Sequence, residues 1–356
     1  MNFEKINLKE IRDAIDSIDS RILRLLNDRM ELVLMAKRFK PRIEDTQREK
    51  EILERIEKDL TGLIHASFVQ GIYTEIIKES KNLQQHEYEL IAFQGEHGAF
   101  GESAAREWNS DWVPVPCAGF DRVFQGVESG LYDYGIVPVE NTLGGSVDQV
   151  NRLLISTNLH IVGALKLPIH LCLLVVPGTN HREIRTVYSH PQALAQARNF
   201  LTRNRLDPMQ YSDTAGAARM VAEKREKGSA AIASKLCEKL YHLEIVKEGV
   251  QDLDKNITRF LVLSKEDRKE VGDKCSVVFS TEHKAGTLFR VLEVFAKEDI
   301  NLTRIESIPS EPGHYAFFLD FLGSSRDEKV LRAIERVRQM TADFNLLGCY
   351  KERMVV

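Results

Sequence analysis

The spacing of apolar residues changes twice along this chain, and the two changes divide it into three parts. From Leu8 through Ile11, Ile15, Ile18, Ile22 and Leu25 to Leu32, Ala36 and Phe39, apolar side chains recur every three or four residues, the period of one helix face. The spacing predicts one helix of about 30 residues, roughly 45 to 50 Å long, stopped by Pro41. Thr46 and Glu49 have capping-box spacing and predict a second helix starting near Asp45. A third is expected over about Leu63 to Gln85. Three helices, one of them very long, do not close a core at this size, so an intertwined dimer is expected.

From Tyr88 short apolar strands alternate with helical stretches, the signature of an α/β fold with a largely parallel sheet. A charged linker follows, Lys265 to Glu270. Beyond it the pattern is strand Ser276 to Ser280, helix Thr287 to Lys297, strands near Leu302 to Ile308 and His314 to Phe321, helix Asp327 to Met340, and strand Leu346 to Tyr350. That is the ferredoxin-like βαββαβ order of an α+β domain. The chain is therefore expected to be multi-domain: residues 1–88 all-α, 89–266 α/β, and 267–356 α+β.

With 356 residues and 43% hydrophobic content, each part has enough apolar material for a core. The net charge of −4 and the lack of a basic block argue against a nucleic-acid or anionic-membrane partner. Five scattered cysteines without a CxxC pair read as buried thiols in a reducing compartment, not as a zinc site or a disulfide frame. No HxxxH or HExxH pair occurs, so no catalytic metal is expected. The run Leu171 to Val176 is too short to span a bilayer, and Met1 to Lys5 leads into a charged helix without a signal-peptide core. A cytoplasmic protein is expected.

In the helical part the apolar seam calls for a hydrophobic residue at position 29 and the sequence supplies Arg29. Lys40 points the same way and Arg12 lies one residue off that seam; each alone reads better as a side chain that snorkels to solvent or pairs with Glu or Asp. Capping explains Glu49 but not Arg48, and Ser80 and Gln84 share one face at i and i+4. Together Arg12, Arg29, Lys40, Asp45, Arg48, Glu49, Ser80 and Gln84 resemble the active site of the all-helical chorismate mutases. The resemblance implies that Arg29, and Arg12 of a partner chain, hold carboxylates of chorismate. It further implies that Lys40 and Gln84 donate to the ether oxygen and that Asp45 and Glu49 hold the ring hydroxyl, with Arg48 and Ser80 completing the lining.

In the α/β part several strands end in polar turns, where ligands of open α/β sheets bind. Gly95-x-x-Gly98-x-x-Gly101 lacks the spacing of a dinucleotide loop, and no P-loop Lys follows, so no nucleotide cofactor is expected. Ser146, Asp213 and Thr214 read as helix caps or as ligand contacts. Capping does not explain Glu140-Asn141 or Gln196. Thr258 and Arg259 put a hydroxyl and a guanidinium into the apolar strand Ile257 to Leu263.

These motifs, with Gly95, Gly144 and Ser189, resemble prephenate dehydratase. The resemblance implies two α/β lobes hinged like a type II periplasmic binding protein, with prephenate in the cleft and no cofactor. In it Thr258 is proton donor or relay, Arg259 a carboxylate anchor or its support, and Glu140, Asn141, Ser189 and Gln196 shape the cleft.

The last part resembles the ACT domain. Gly286-Thr287-Leu288 stands where the dehydratases carry Gly-Ala-Leu, and Glu306-Ser307 opens the second motif, with Ile308 where they carry Arg. Phenylalanine is the implied effector, bound at a domain interface near these residues, Asn301 and Leu302, in a homodimer or dimer of dimers. An arogenate-preferring dehydratase and a non-catalytic aromatic-metabolite sensor are the alternatives.

Overall fold

The computed structural model describes residues 8–267, 272–282, 284–311 and 314–355. Part of the expected linker, and the opening Met1 to Lys5, lie outside the described residues. The chain forms two compact units, Met1–Glu89 and Leu90–Val356.

The first unit is three helices: α1 (Leu8–Lys37), α2 (Thr46–Asp59) and α3 (Ala66–Gln85). Asp45 caps α2, its carboxylate accepting from the Arg48 backbone N–H at 3.0 Å. Thr46 is the first helical residue, so the expected capping box of Thr46 and Glu49 is not formed, and the Glu49 carboxylate pairs with Lys81 instead. Asp is the better N-cap, and its charge suits the positive end of the helix. Among the described residues of this unit only Leu34 and Ile77 are buried apolar side chains, while Leu8 on the α1 seam is 62% exposed and Leu25 60%.

The second unit opens with β1 (Leu90–Gln94), α4 (Phe100–Trp108), β2 (Val113–Cys117), α5 (Phe120–Glu128), β3 (Tyr134–Asn141), β4 (Gly145–Ser146), α6 (Asp148–Ser156) and β5 (His160–Pro168). A second lobe follows: β6 (Cys172–Val175), β7 (Thr186–Ser189), α7 (Pro191–Gln196), α8 (Arg198–Arg203), β8 (Asp207–Gln210), α9 (Thr214–Lys224), β9 (Ser229–Ala233), α10 (Leu236–Tyr241) and β10 (Glu244–Glu248). β11 (Ile257–Ser264) returns to the first lobe. The C-terminal domain is β12 (Lys274–Thr281), α11 (Thr287–Lys297), β13 (Leu302–Glu311), β14 (His314–Leu322), α12 (Glu328–Met340) and β15 (Phe344–Tyr350), and β16 (Glu352–Met354) comes after it.

These strands build three sheets, ordered β16-β5-β11-β3-β1-β2 with β4 on β3, β10-β6-β9-β7-β8, and β13-β14-β12-β15. The four apolar residues Leu90 to Phe93 of β1 are all buried, as a parallel strand between helical layers requires. One apolar cluster, including Ile91, Phe93, Leu173, Val187 and Phe260, runs through both lobes, while Phe279, Phe295, Leu319 and Val330 belong to a core of the C-terminal domain.

β16 was not expected. It leaves the C-terminal domain and pairs parallel with β5, Arg353 opposite Leu165. Three largely polar residues carry no readable period.

Two cysteines also correct the expectation of free thiols. Cys275 and Cys349 face each other across β12 and β15 and form a disulfide, with Cα atoms 4.1 Å apart. Their separation of 74 residues gave no signal in the sequence. Cys117, Cys172 and Cys237 are free and buried, as expected, and burial pushes the Cys172 thiol up to about 11.

Antiparallel pairing of β11 with β3 brings Thr258 opposite Asn141 and Arg259 opposite Glu140. The register then slips, so that Phe260 faces Pro138 and Val139 is an extra residue. A bulge is where a strand tolerates Pro, which has no N–H for the ladder.

Candidate active sites

In the helical unit, α1 and α3 cross so that Arg29 Nη1 donates to Ser80 Oγ at 2.5 Å. Gln84 Nε2 donates to the Val33 carbonyl at 2.7 Å, which leaves its second amide hydrogen unused by that bond. Lys40, just beyond α1, is 3.7 Å from Asp45. Lys81 Nζ reaches both Glu49 oxygens, at 3.1 and 3.2 Å. These side chains line a cavity of about 270 Å³ with Arg48 and an apolar floor of Leu32, Val33, Ala36, Ile52 and Ile77. Seven of the eight residues expected here, all but Arg12, thus meet in one chain. Arg12 is exposed on α1, about 25 Å from Arg29 at the helical rise. Lys81 was missed, although it follows Ser80 directly and was findable as the cation beside the Ser80/Gln84 face.

Between the two α/β lobes lies a cleft of about 610 Å³. Of the residues expected there, Gly95, Asn141, Gly144, Ser146, Gln196, Asp213, Thr214 and Thr258 line it. The loop from β1 carries Gly95 and Gly98 at φ +111° and +92°, in the left-handed region that Gly tolerates. This loop is tied to the second lobe: Ser234 Oγ donates to the Gly98 carbonyl at 2.5 Å and Arg219 pairs with Glu96 at 2.8 Å. Gly144 packs against Gln192, whose amide would have to swing aside for a Cβ there, 1.8 Å from its Nε2. Asp213 does cap α9, its Oδ1 accepting from Gly216 N at 2.7 Å, while facing the same cleft.

Asn141 is the centre of the polar wall. Its Oδ1 accepts from the backbone N–H groups of Leu143 and Gly144 at 3.0 and 2.7 Å. Those donors fix which end of the amide is oxygen. Its Nδ2 therefore donates, to Thr258 Oγ1 at 2.9 Å and to Asn256 Oδ1 at 2.7 Å, and Asn256 in turn donates to Gln196 at 3.0 Å. Because Thr258 Oγ1 accepts from an amide N–H, its own O–H hydrogen can turn toward the cleft. Among the described residues no Lys or Arg lines the cleft.

Three expected residues lie off the cleft wall. Ser189 is fully buried and donates to the Ile232 carbonyl at 2.6 Å. Glu140, 39% exposed, stands between two guanidinium groups, Arg259 at 3.7 Å and Arg304 at 3.4 Å. Arg259 is the residue after Thr258 in an extended strand, so its side chain points to the opposite face. There it is 2% exposed and meets the C-terminal domain: Asp320 at 2.5 Å, Glu352 at 2.6 Å and the Tyr350 hydroxyl at 3.0 Å. Burial opposes its charge, but Tyr350, Asp320 and Glu352 outweigh burial and hold its pKa above the ordinary Arg range. Burial likewise disfavours ionised Glu352, yet Arg259, Lys166 and Lys274 bring its carboxyl down to about 2.

In the C-terminal domain Gly286 caps α11 at φ +83°, and Gly286, Thr287 and Leu288 line a cavity of about 380 Å³ with Tyr315 and Phe317. Asn301, Leu302, Glu306 and Ser307 lie on or just before β13 and do not line it. Ile308 is buried at the end of that stretch.

Residues 11–85 match the chorismate mutase type II family, residues 91–268 prephenate dehydratase, and residues 276–339 the ACT domain. Over 362 residues the chain is 36% identical to the bifunctional chorismate mutase/prephenate dehydratase of Aquifex aeolicus (strain VF5), spanning 98% of this chain and 99% of that protein. An Arabidopsis thaliana arogenate dehydratase/prephenate dehydratase 2, chloroplastic, is 41% identical over 274 residues, 73% of this chain and 72% of its own. Among solved structures, the prephenate dehydratase from Arthrobacter aurescens in complex with L-Phe matches with a TM-score of 0.68 at 28% identity, covering 74% of this chain and 89% of that one.

Proposed function

The chain belongs to the family of bifunctional chorismate mutase/prephenate dehydratases, and we propose how its residues divide the work of turning chorismate into prephenate and prephenate into phenylpyruvate. In the mutase cavity four cations, Arg29, Lys40, Arg48 and Lys81, face two carboxylates, Asp45 and Glu49. Four minus two leaves a surplus of two positive charges, matched to the two carboxylates of chorismate. A pericyclic rearrangement needs no nucleophile; it needs a compressed conformer and fixed positive charge where the breaking C–O bond turns negative. Lys40 and the free amide hydrogen of Gln84 fill that role. Arg12 of a second copy closes the cavity, in a homodimer that covers the exposed α1 seam.

For the dehydratase, the bond from Asn141 to Thr258 carries the reading. A hydroxyl oriented by an accepted hydrogen bond and facing the cleft is placed to donate to the departing ring hydroxyl, while loss of carbon dioxide supplies the electrons for aromatisation. With no Lys or Arg among the described residues of the wall, backbone and amide N–H groups hold the substrate carboxylates. Gln196 and Asn256 brace Asn141, and Arg259 acts as support to its neighbour and not as a carboxylate anchor.

Incubating the protein with chorismate alone tests the whole scheme. Phenylpyruvate is the expected product. Prephenate accumulating, with turnover only when arogenate is supplied, would move the second site to the amino substrate, and untouched chorismate would favour a sensor.

Phenylalanine is the proposed effector, held between Gly286 to Leu288 of one copy and Asn301, Leu302, Glu306 and Ser307 of another. Millimolar phenylalanine is expected to raise the thermal midpoint and slow phenylpyruvate formation, since a ligand bound only by the folded state stabilises it. No change in either would leave this domain a dimerisation element. A cytoplasmic location is proposed; among the described residues no helix is long and apolar enough to cross a membrane.

A further inference from the structure

The buried charge network behind Thr258 is not used by either reaction as described, and it crosses from the dehydratase into the C-terminal domain. Asp320 on β14 is fully buried, bonded to Arg259 and to Ser276 Oγ. Glu352 opens β16 and is held by Arg259, Lys274 at 3.0 Å and Lys166 at 2.9 Å. Lys166 belongs to β5 of the dehydratase sheet, so Glu352 is gripped from both domains. Tyr350 OH bonds to Arg259 at 3.0 Å and to Ser276 at 2.6 Å.

We propose that Asp320 and Tyr350 of the C-terminal domain, with Glu352 of the strand that follows it, are positioning residues of the dehydratase, which aim the Thr258 hydroxyl by locking the side chain of Arg259.

The local backbone is the reason such a lock has work to do. Thr258 and Arg259 lie on the cleft side of the bulge at Val139, where the ladder to β3 has just slipped by one residue. Bulges re-aim side chains, and here the ladder to β5 stays in register through Thr258 and Arg259 while a further hold comes from side chains beyond the ladder. On the far face of β11 that hold is Arg259 with its partners. A second contact from the C-terminal domain meets the bulge itself, Arg304 Nη2 approaching the Val139 carbonyl at 3.4 Å. A displacement of about 1 Å in a reacting group costs on the order of a hundredfold in rate. Loss of one ionic partner of Arg259 is therefore expected to appear in turnover, while the groups that bind the substrate carboxylates stay in place.

The inference rests on the reading of Thr258 as proton donor, and the test separates the two. Asp320→Asn, Glu352→Gln and Tyr350→Phe are compared with wild type for dehydration of supplied prephenate, for mutase turnover of chorismate and for thermal midpoint. The charge-removing variants are expected to lose at least about tenfold in dehydratase kcat with KM within about threefold, mutase turnover unchanged. Tyr350→Phe removes one hydroxyl and no charge; it is expected to keep the fold and lose about three- to tenfold in kcat. Wild-type kcat in Tyr350→Phe and in whichever charge variants fold would overturn the inference. So would KM rising with kcat unchanged, which would put Arg259 on the substrate. Thr258→Ala with normal dehydration would instead overturn the reading beneath it.

Discussion

Thr258→Ala is expected to lower dehydratase kcat by roughly 10²- to 10⁴-fold, the range that one positioned proton donor supplies, and to leave mutase turnover at wild-type level. Little of that loss should come from misfolding. The side chain is 8% exposed and removal of its Oγ1 takes one acceptor from Asn141 Nδ2, which retains Asn256 as a partner. The two activities in one chain make the measurement self-controlling. Chorismate consumption reports the folded helical unit, and phenylpyruvate formation reports the cleft. Phenylpyruvate at the wild-type rate would remove Thr258 from the chemistry and return attention to the other cleft residues, among them His190 and Asp213.

Lys40→Met is expected to have the converse effect, a fall of about 10²- to 10³-fold in mutase kcat, the cost of removing one charge-stabilising donor, with dehydration of supplied prephenate unchanged. Lys40 suits this test better than Arg29. Arg29 is bonded to the buried Ser80 hydroxyl, so its loss also removes a hydrogen bond between α1 and α3. Lys40 sits outside the helices, its nearest charge being Asp45 at 3.7 Å, and its side chain is 38% exposed. A surface ion pair of that kind contributes at most about 1 kcal/mol to stability. A thermal midpoint near wild type, with mutase turnover lost, is the expected pair of results. Undiminished mutase turnover would take Lys40 out of the mechanism.

The helical site was legible because a helix converts sequence spacing into geometry. Arg29 on an apolar seam and Ser80 with Gln84 at i and i+4 meet in the cavity where the periodicity puts them. Arg12, one residue off the seam, does not line this cavity, and the spacing holds no information about a second chain. In the α/β region the polar ends of strands pointed to the cleft, since strand ends and loops are where an open sheet binds ligands.

Direction of side chains was harder to read. Thr258 and Arg259 are neighbours, and alternation sends one to the cleft and the other away, yet which one goes where depends on how β11 pairs with β3. Ser189 was similarly ambiguous, and its hydroxyl is taken up by a backbone carbonyl of β9. Cys275 with Cys349, and Glu352 with Arg259, are contacts between residues far apart in sequence, set by register and not by local pattern.

The path of β16 has a consequence for how the protein is made. The first sheet gains its strand beside β5 only from residues that leave the ribosome after the whole C-terminal domain. Until then β5 has an unpaired edge, and Arg259 lacks Glu352, one of its two closest counter-charges. Completion of that sheet is thus contingent on synthesis of the chain through the C-terminal domain, so that a chain released early lacks the strand beside β5.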